Sequence, residues 1–106
     1  MGLFGSNISD REFFSVARQR IELLRTRLFA DLAKLSPSSS ERVRLHDRDI
    51  AVWTRRDILA DGSIRVVVQT SLPNARAAGR MTADGFIMTS DGTLSAVPEE
   101  MWRQLV

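Results

Sequence analysis

The stretch from Ser9 to Leu35 constrains this chain more than any other. It contains neither glycine nor proline until Ser36-Pro37, and a proline forces the residue before it out of the helical region. Ser9-Asp10-Arg11-Glu12 fits a capping box, with a hydroxyl that accepts from an orphan amide and a carboxylate that reaches back. Ile8 and Phe13 are placed for a hydrophobic staple across that cap. About 26 helical residues predict a rod of about 39 Å.

The apolar periodicity of this stretch is helical. Phe14, Ala17, Ile21, Leu24, Leu28, Leu32 and Leu35 form one stripe, and Val16, Leu23 and Ala30 a weaker one nearly opposite. The main stripe is expected to cover the chain's own sheet. In a heptad frame Arg20, Arg27, Lys34, Arg18 and Arg25 flank the seam on both sides, and Asp31 falls within it. A self-paired coiled coil would therefore set like charge against like. An acidic foreign helix suits those flanks better.

The remainder reads as strands and turns. Ser36–Ser40 is a Ser/Pro linker. Glu41–Asp49 alternates Val43 and Leu45 with Arg42, Arg44 and His46, a short half-exposed strand closed by the polar turn Asp47-Arg48-Asp49. Ile50–Leu59 and Ile64–Leu72 are the strongest strands, with the hairpin dipeptide Asp61-Gly62 between them. One face collects Ile50, Val52, Ile58, Ile64, Val66, Val68 and Leu72. The other carries Trp53, Arg55, Asp57, Arg65, Val67, Gln69 and Ser71. Pro73-Asn74 ends the second strand, and a small-residue connector with Arg76 leads to Arg80. Thr82-Ala83-Asp84-Gly85 and Thr89-Ser90-Asp91-Gly92 echo each other, and both are expected to be turns, around a strand at Phe86–Ser90. Their spacing fits no calcium-binding repeat. Pro98-Glu99-Glu100 opens a short last helix, with proline first and acids in the first turn.

The expected architecture is α+β: a long N-terminal amphipathic helix packed on an antiparallel meander sheet of four to five strands, with a short C-terminal helix. The divisions are a mobile N-terminus at 1–8, the helix at 9–35, the linker at 36–40, the sheet at 41–97 and the last helix at 98–106. The first residues match a loose N-myristoylation pattern, Met1-Gly2 followed by Ser6, and lack the build of a secretory signal.

Composition removes several chemistries. The 106 residues hold no cysteine and one histidine, so there is no thiolate, no cysteine zinc site and no cluster of imidazole ligands. No glycine-rich phosphate loop or nucleophile motif is present. No catalytic, cofactor-binding or metal-ligating residue is therefore assigned, and neither a cofactor nor a metal is expected. No apolar run reaches the ~20 residues of a membrane span. The net charge is only +2 despite a pI near 10.4, because Lys34 is the single lysine and arginine's high pKa lifts the pI. A high pI of that origin is weak support for a nucleic-acid partner.

Surplus apolar residues point to an interaction protein, cytoplasmic, that self-associates or binds another protein. The candidate interface is Val16, Leu23, Trp53, Val67 and Trp102. Two alternatives rest on arginines. A nucleic-acid module would use Arg42, Arg44, Arg48, Arg55, Arg56 and Arg65 on the strands, with aspartates interleaved against it. A small anionic-ligand binder or enzyme would use Arg76 or Arg80 beside a pocket between helix and sheet.

Overall fold

The structure, a computed structural model, describes residues 9–72 and 80–105. Two helices open it, α1 at Asp10–Arg25 and α2 at Phe29–Ala33. Five strands follow: β1 at Ser38–Leu45, β2 at Arg48–Ile58, β3 at Ile64–Leu72, β4 at Arg80–Met88 and β5 at Leu94–Ser95. A last helix, α3, spans Glu99–Leu105. The strands make one antiparallel sheet in the order β1-β2-β3-β4-β5. The molecule is thus the expected α+β meander with helices before and after it.

The capping box forms as the sequence predicts. The Ser9 hydroxyl accepts from Glu12 N–H at 3.1 Å, and the Glu12 carboxylate accepts from Ser9 N–H at 3.2 Å. The staple partner Ile8 lies outside the described residues. Phe13, Ala17 and Ile21 bury one face of α1 against Ile64, Val66, Val68, Phe86 and Met88. Of the two adjacent phenylalanines the sheet takes Phe13, while Phe14 is exposed.

The helix expected to run unbroken to Leu35 is instead two. Thr26 Oγ1 donates to the Leu23 carbonyl at 2.7 Å, and Leu28 is extended, at φ −74 and ψ 154. No glycine or proline requires this break. A separate short turn carries Leu32 to full burial and Leu35 to partial burial, and that burial outweighs the helical propensity of the interrupted residues. Leu28, counted in the apolar stripe, is 72% exposed as a result.

Further differences concern turns. Ser38–Ser40, expected as linker, pairs with Arg55, Thr54 and Trp53 as the start of β1. The β1–β2 connection is the two-residue turn His46-Asp47, at φ 49 and φ 61, rather than Asp47-Arg48-Asp49. Histidine and aspartate are among the few non-glycine residues that enter the left-handed region readily. Asp84-Gly85 is not a turn but lies within β4, paired with Val68 and Val67. The true echo joins Asp61-Gly62 to Asp91-Gly92. Both glycines have φ near 90, and both aspartates accept from the N–H two residues on, in Ser63 at 2.9 Å and Thr93 at 3.0 Å. Pro98 precedes α3 as its cap residue, its carbonyl accepting from Met101 N–H at 3.0 Å. Ile58 has the expected parity but is 61% exposed at the mouth of the β2–β3 hairpin.

Candidate functional site: the β1 edge and its flanks

Register assigns every strand residue to a face. The helix side carries Val43, Ile50, Val52, Val66, Val68, Thr70 and Phe86. The opposite face carries Arg42, Arg44, Asp49, Trp53, Arg55, Asp57, Arg65, Val67, Gln69 and Met81. Sequence parity had already placed Trp53, Arg55, Arg65 and Val67 together, and the structure adds Arg42 and Arg44 to the same face.

Three of those four arginines meet carboxylates. Arg65 Nη2 lies 2.9 Å from Asp57, Arg44 Nη1 3.3 Å from Asp49, and Arg55 Nη2 3.8 Å from Asp57. Arg42 has no ion pair among the described residues. Arg76 lies outside the described residues, and so does the side chain of Arg80. Arg56 faces the helix side, where it holds the Leu35 carbonyl.

The expected apolar interface does not form one surface. Val67 is only 3% exposed. A Cβ placed on Gly85 would lie 3.1 Å from a Val67 methyl and 3.3 Å from a Val97 methyl, so the segment leading into α3 already covers that part of the face. Val16 packs against the core, and Trp102 is half-buried. Trp53, at 39%, stays open on the far face. Leu23, at 63%, stands on the flank of α1 that overlooks β1.

That flank brings together what the sequence kept apart. α1 packs over β3 and β4. Arg20 forms an ion pair with Glu41 of β1 on one side, and Arg18 approaches Asp84 of β4 at 3.7 Å on the other. Between α1 and β1 a groove of about 460 Å³ is left open. Its walls include Arg20, Leu23, Leu24, Arg27, Leu35 and Glu41. Phe13, Ala17 and Ile21 pack α1 onto the sheet, and the two recesses flank it. At the far rim a smaller one, of about 280 Å³, lies among Arg18, Arg25, Asp84 and Leu94.

Among the described residues β1 has a neighbour on one side only. Arg56 N–H donates to the Pro37 carbonyl at 3.0 Å. Antiparallel ladders alternate bonded and non-bonded pairs, so residues 39, 41, 43 and 45 also face β2. The N–H and C=O groups of Ser38, Ser40, Arg42 and Arg44 therefore point away from the sheet. Six of the eight residues of β1 are exposed. The strand carries no proline and no bulge, and of the devices that blunt sheet edges it has charged side chains alone, in Glu41, Arg42 and Arg44. Strand order is what makes β1 an edge, and no sequence signal announces it.

Polar contacts fix turns on both sides of the sheet. His46 Nε2 donates to the Glu12 carboxylate, tying the β1–β2 turn to the start of α1. Hydrogen bonds from His46 first, and then from Ser9, hold the Glu12 carboxyl below its ordinary value of 4.5. At the β4–β5 turn the Thr89 hydroxyl, followed by Thr93, pushes Asp91 down to about 2.

Among the described residues no group of His, Cys, Asp or Glu stands where it could hold a metal, and no helix is long and apolar enough to cross a membrane. No family model matches the chain, and no curated protein or solved structure is significantly similar to it.

Proposed function

We propose that this protein is a small interaction module that binds an extended segment of another protein along the outer edge of β1. The observation that carries the reading is the edge itself: an exposed strand with four outward residues whose backbone groups have no strand partner among the described residues, beside an open groove. Strand addition supplies affinity through main-chain hydrogen bonds and specificity through pockets for alternate side chains.

Ser40→Pro tests it. The Ser40 N–H points outward, so proline there removes a docking donor and takes no bond from the β1–β2 ladder. Extended peptides found by array screening are expected to slow amide exchange at Ser38, Ser40, Arg42 and Arg44 in the parent and to bind Ser40→Pro at least tenfold more weakly. The melting temperature of the variant should stay near that of the parent. Peptides that bind both proteins equally, or leave those amides unprotected, would overturn the reading.

A second reading, nucleic-acid binding on the face of Arg42, Arg44, Arg55, Arg65 and Trp53, is favoured by their sharing one surface. Asp49 and Asp57 stand against it, since they occupy three of the four arginines. Titration with single-stranded DNA at low salt decides it: phosphate contacts demand an affinity that falls steeply with salt.

A further inference from the structure

Resting on the β1-edge reading, we infer that the docked segment is acidic and alternates carboxylates with apolar side chains. The added strand would place every second side chain on the face of Arg42 and Arg44, since strand neighbours in register share a face. Arg42 has no ion pair among the described residues, and Arg44 shares only the exposed Asp49. Carboxylates at those positions would meet guanidinium groups that gain by pairing.

The intervening side chains would turn to the helix side, beside Ser39 and Glu41. There the groove offers Leu23, Leu24 and Leu35, with Arg27 at its rim. Leu23 is largely exposed in the free protein, so an apolar side chain lodged against it removes area from water on both partners.

The same chemistry argues against a second copy as the occupant. The only acid in β1 is Glu41. It sits on the helix side and is engaged by Arg20. Two β1 strands laid edge to edge would bring arginines to the far face from both chains with no β1 carboxylate between them. Like charges brought together across an interface are costly.

Three labelled peptides as long as β1 serve as probes, alternating valine with glutamate, glutamine or lysine. Binding is followed by fluorescence anisotropy at two salt concentrations, with amide exchange at β1. The glutamate peptide is expected to bind at least tenfold more tightly than the glutamine peptide, with a preference that shrinks as salt rises. Arg42→Glu with Arg44→Glu should reverse the order and favour lysine, with an unchanged melting curve as the control for folding. Equal binding of all three peptides, each lost in Ser40→Pro, would overturn the acidic partner and leave the edge reading standing. Failure of every peptide to protect β1 amides would overturn both. Displacement of the glutamate peptide by oligothymidylate at equal concentration would overturn the inference in favour of a polyphosphate strand.

Discussion

Arg56 reaches from β2 to the carbonyl oxygen of Leu35, donating from Nε at 3.2 Å and from Nη2 at 2.7 Å. Its own N–H holds the Pro37 carbonyl two residues further on. The chain leaving α2 is thereby fastened to the sheet where β1 begins. Charged hydrogen bonds of this kind contribute about 1.5–3 kcal/mol. Arg56→Met keeps much of the stem and loses the fork, so chemical denaturation should show a loss in that range. Arg56→Lys, a single point charge without the planar fork, should recover only part of it.

Gly85 and Gly62 differ in why they are glycine. A Cβ on Gly85 would stand 2.6 Å from the Val66 carbonyl oxygen, which is backbone and cannot step aside cheaply. Gly62 has open space around it, and its demand is the φ of 87. Gly62→Ala should cost about 1–2 kcal/mol, the steric cost of the left-handed conformation. Gly85→Ala should cost more than that, because β3 and β4 have to separate at their centre. Equal shifts in urea midpoint for the two variants would show that β4 yields more easily than its register implies.

Thr70 is fully buried under the helices, and its hydroxyl has no hydrogen-bond partner among the described residues. An unsatisfied buried hydroxyl is costly, and an apolar group of the same shape removes the cost. Thr70→Val is therefore expected to stabilise the protein by about 1 kcal/mol. Thr70→Ser keeps the hydroxyl and loses the methyl, so it should destabilise. Thermal unfolding of the pair separates the two contributions.

Acid should weaken the fold in steps. A carboxyl whose pKa is lowered by folding gives stability that is complete above its unfolded value and drains as the pH falls toward its folded one. For Asp91 that interval runs from the ordinary 3.8 down to about 2. For Glu12 it begins near 4.5. Asp91→Asn should lower the melting temperature at neutral pH and converge on the parent at pH 2. Glu12→Gln should close its gap from the parent starting at a higher pH. A gap for either variant that stayed constant from pH 7 to 2 would refute the assignment.

Much of the fold was legible, for physical reasons that can be named. β3 begins where Asp61-Gly62 puts it, because turn chemistry is local. The capping box was legible for the same reason. The break at Thr26–Leu28 was not, since no residue there forbids a helix and only the burial of Leu32 decides it. Val67 looked free because its cover, Val97, arrives from 30 residues further along the chain. Asp84-Gly85 misled because the dipeptide that makes a turn also fits a close strand approach. Of the site, parity grouped Trp53, Arg55 and Arg65, while the groove and the edge depend on strand order and on where α1 lies.

The β1–β2 turn of His46 and Asp47 has a kinetic consequence. Every rung of the sheet joins strands that are neighbours in sequence, so each pairing closes a short loop at a small entropic cost. With only two residues in its turn, the first hairpin is the least expensive to close, and hairpins form in about 1–10 μs. α1 has further to travel, since it must cross β1 and β2 to reach β3 and β4. The β1–β2 hairpin can therefore close before α1 docks, and its backbone pairing needs no contact with the first helix.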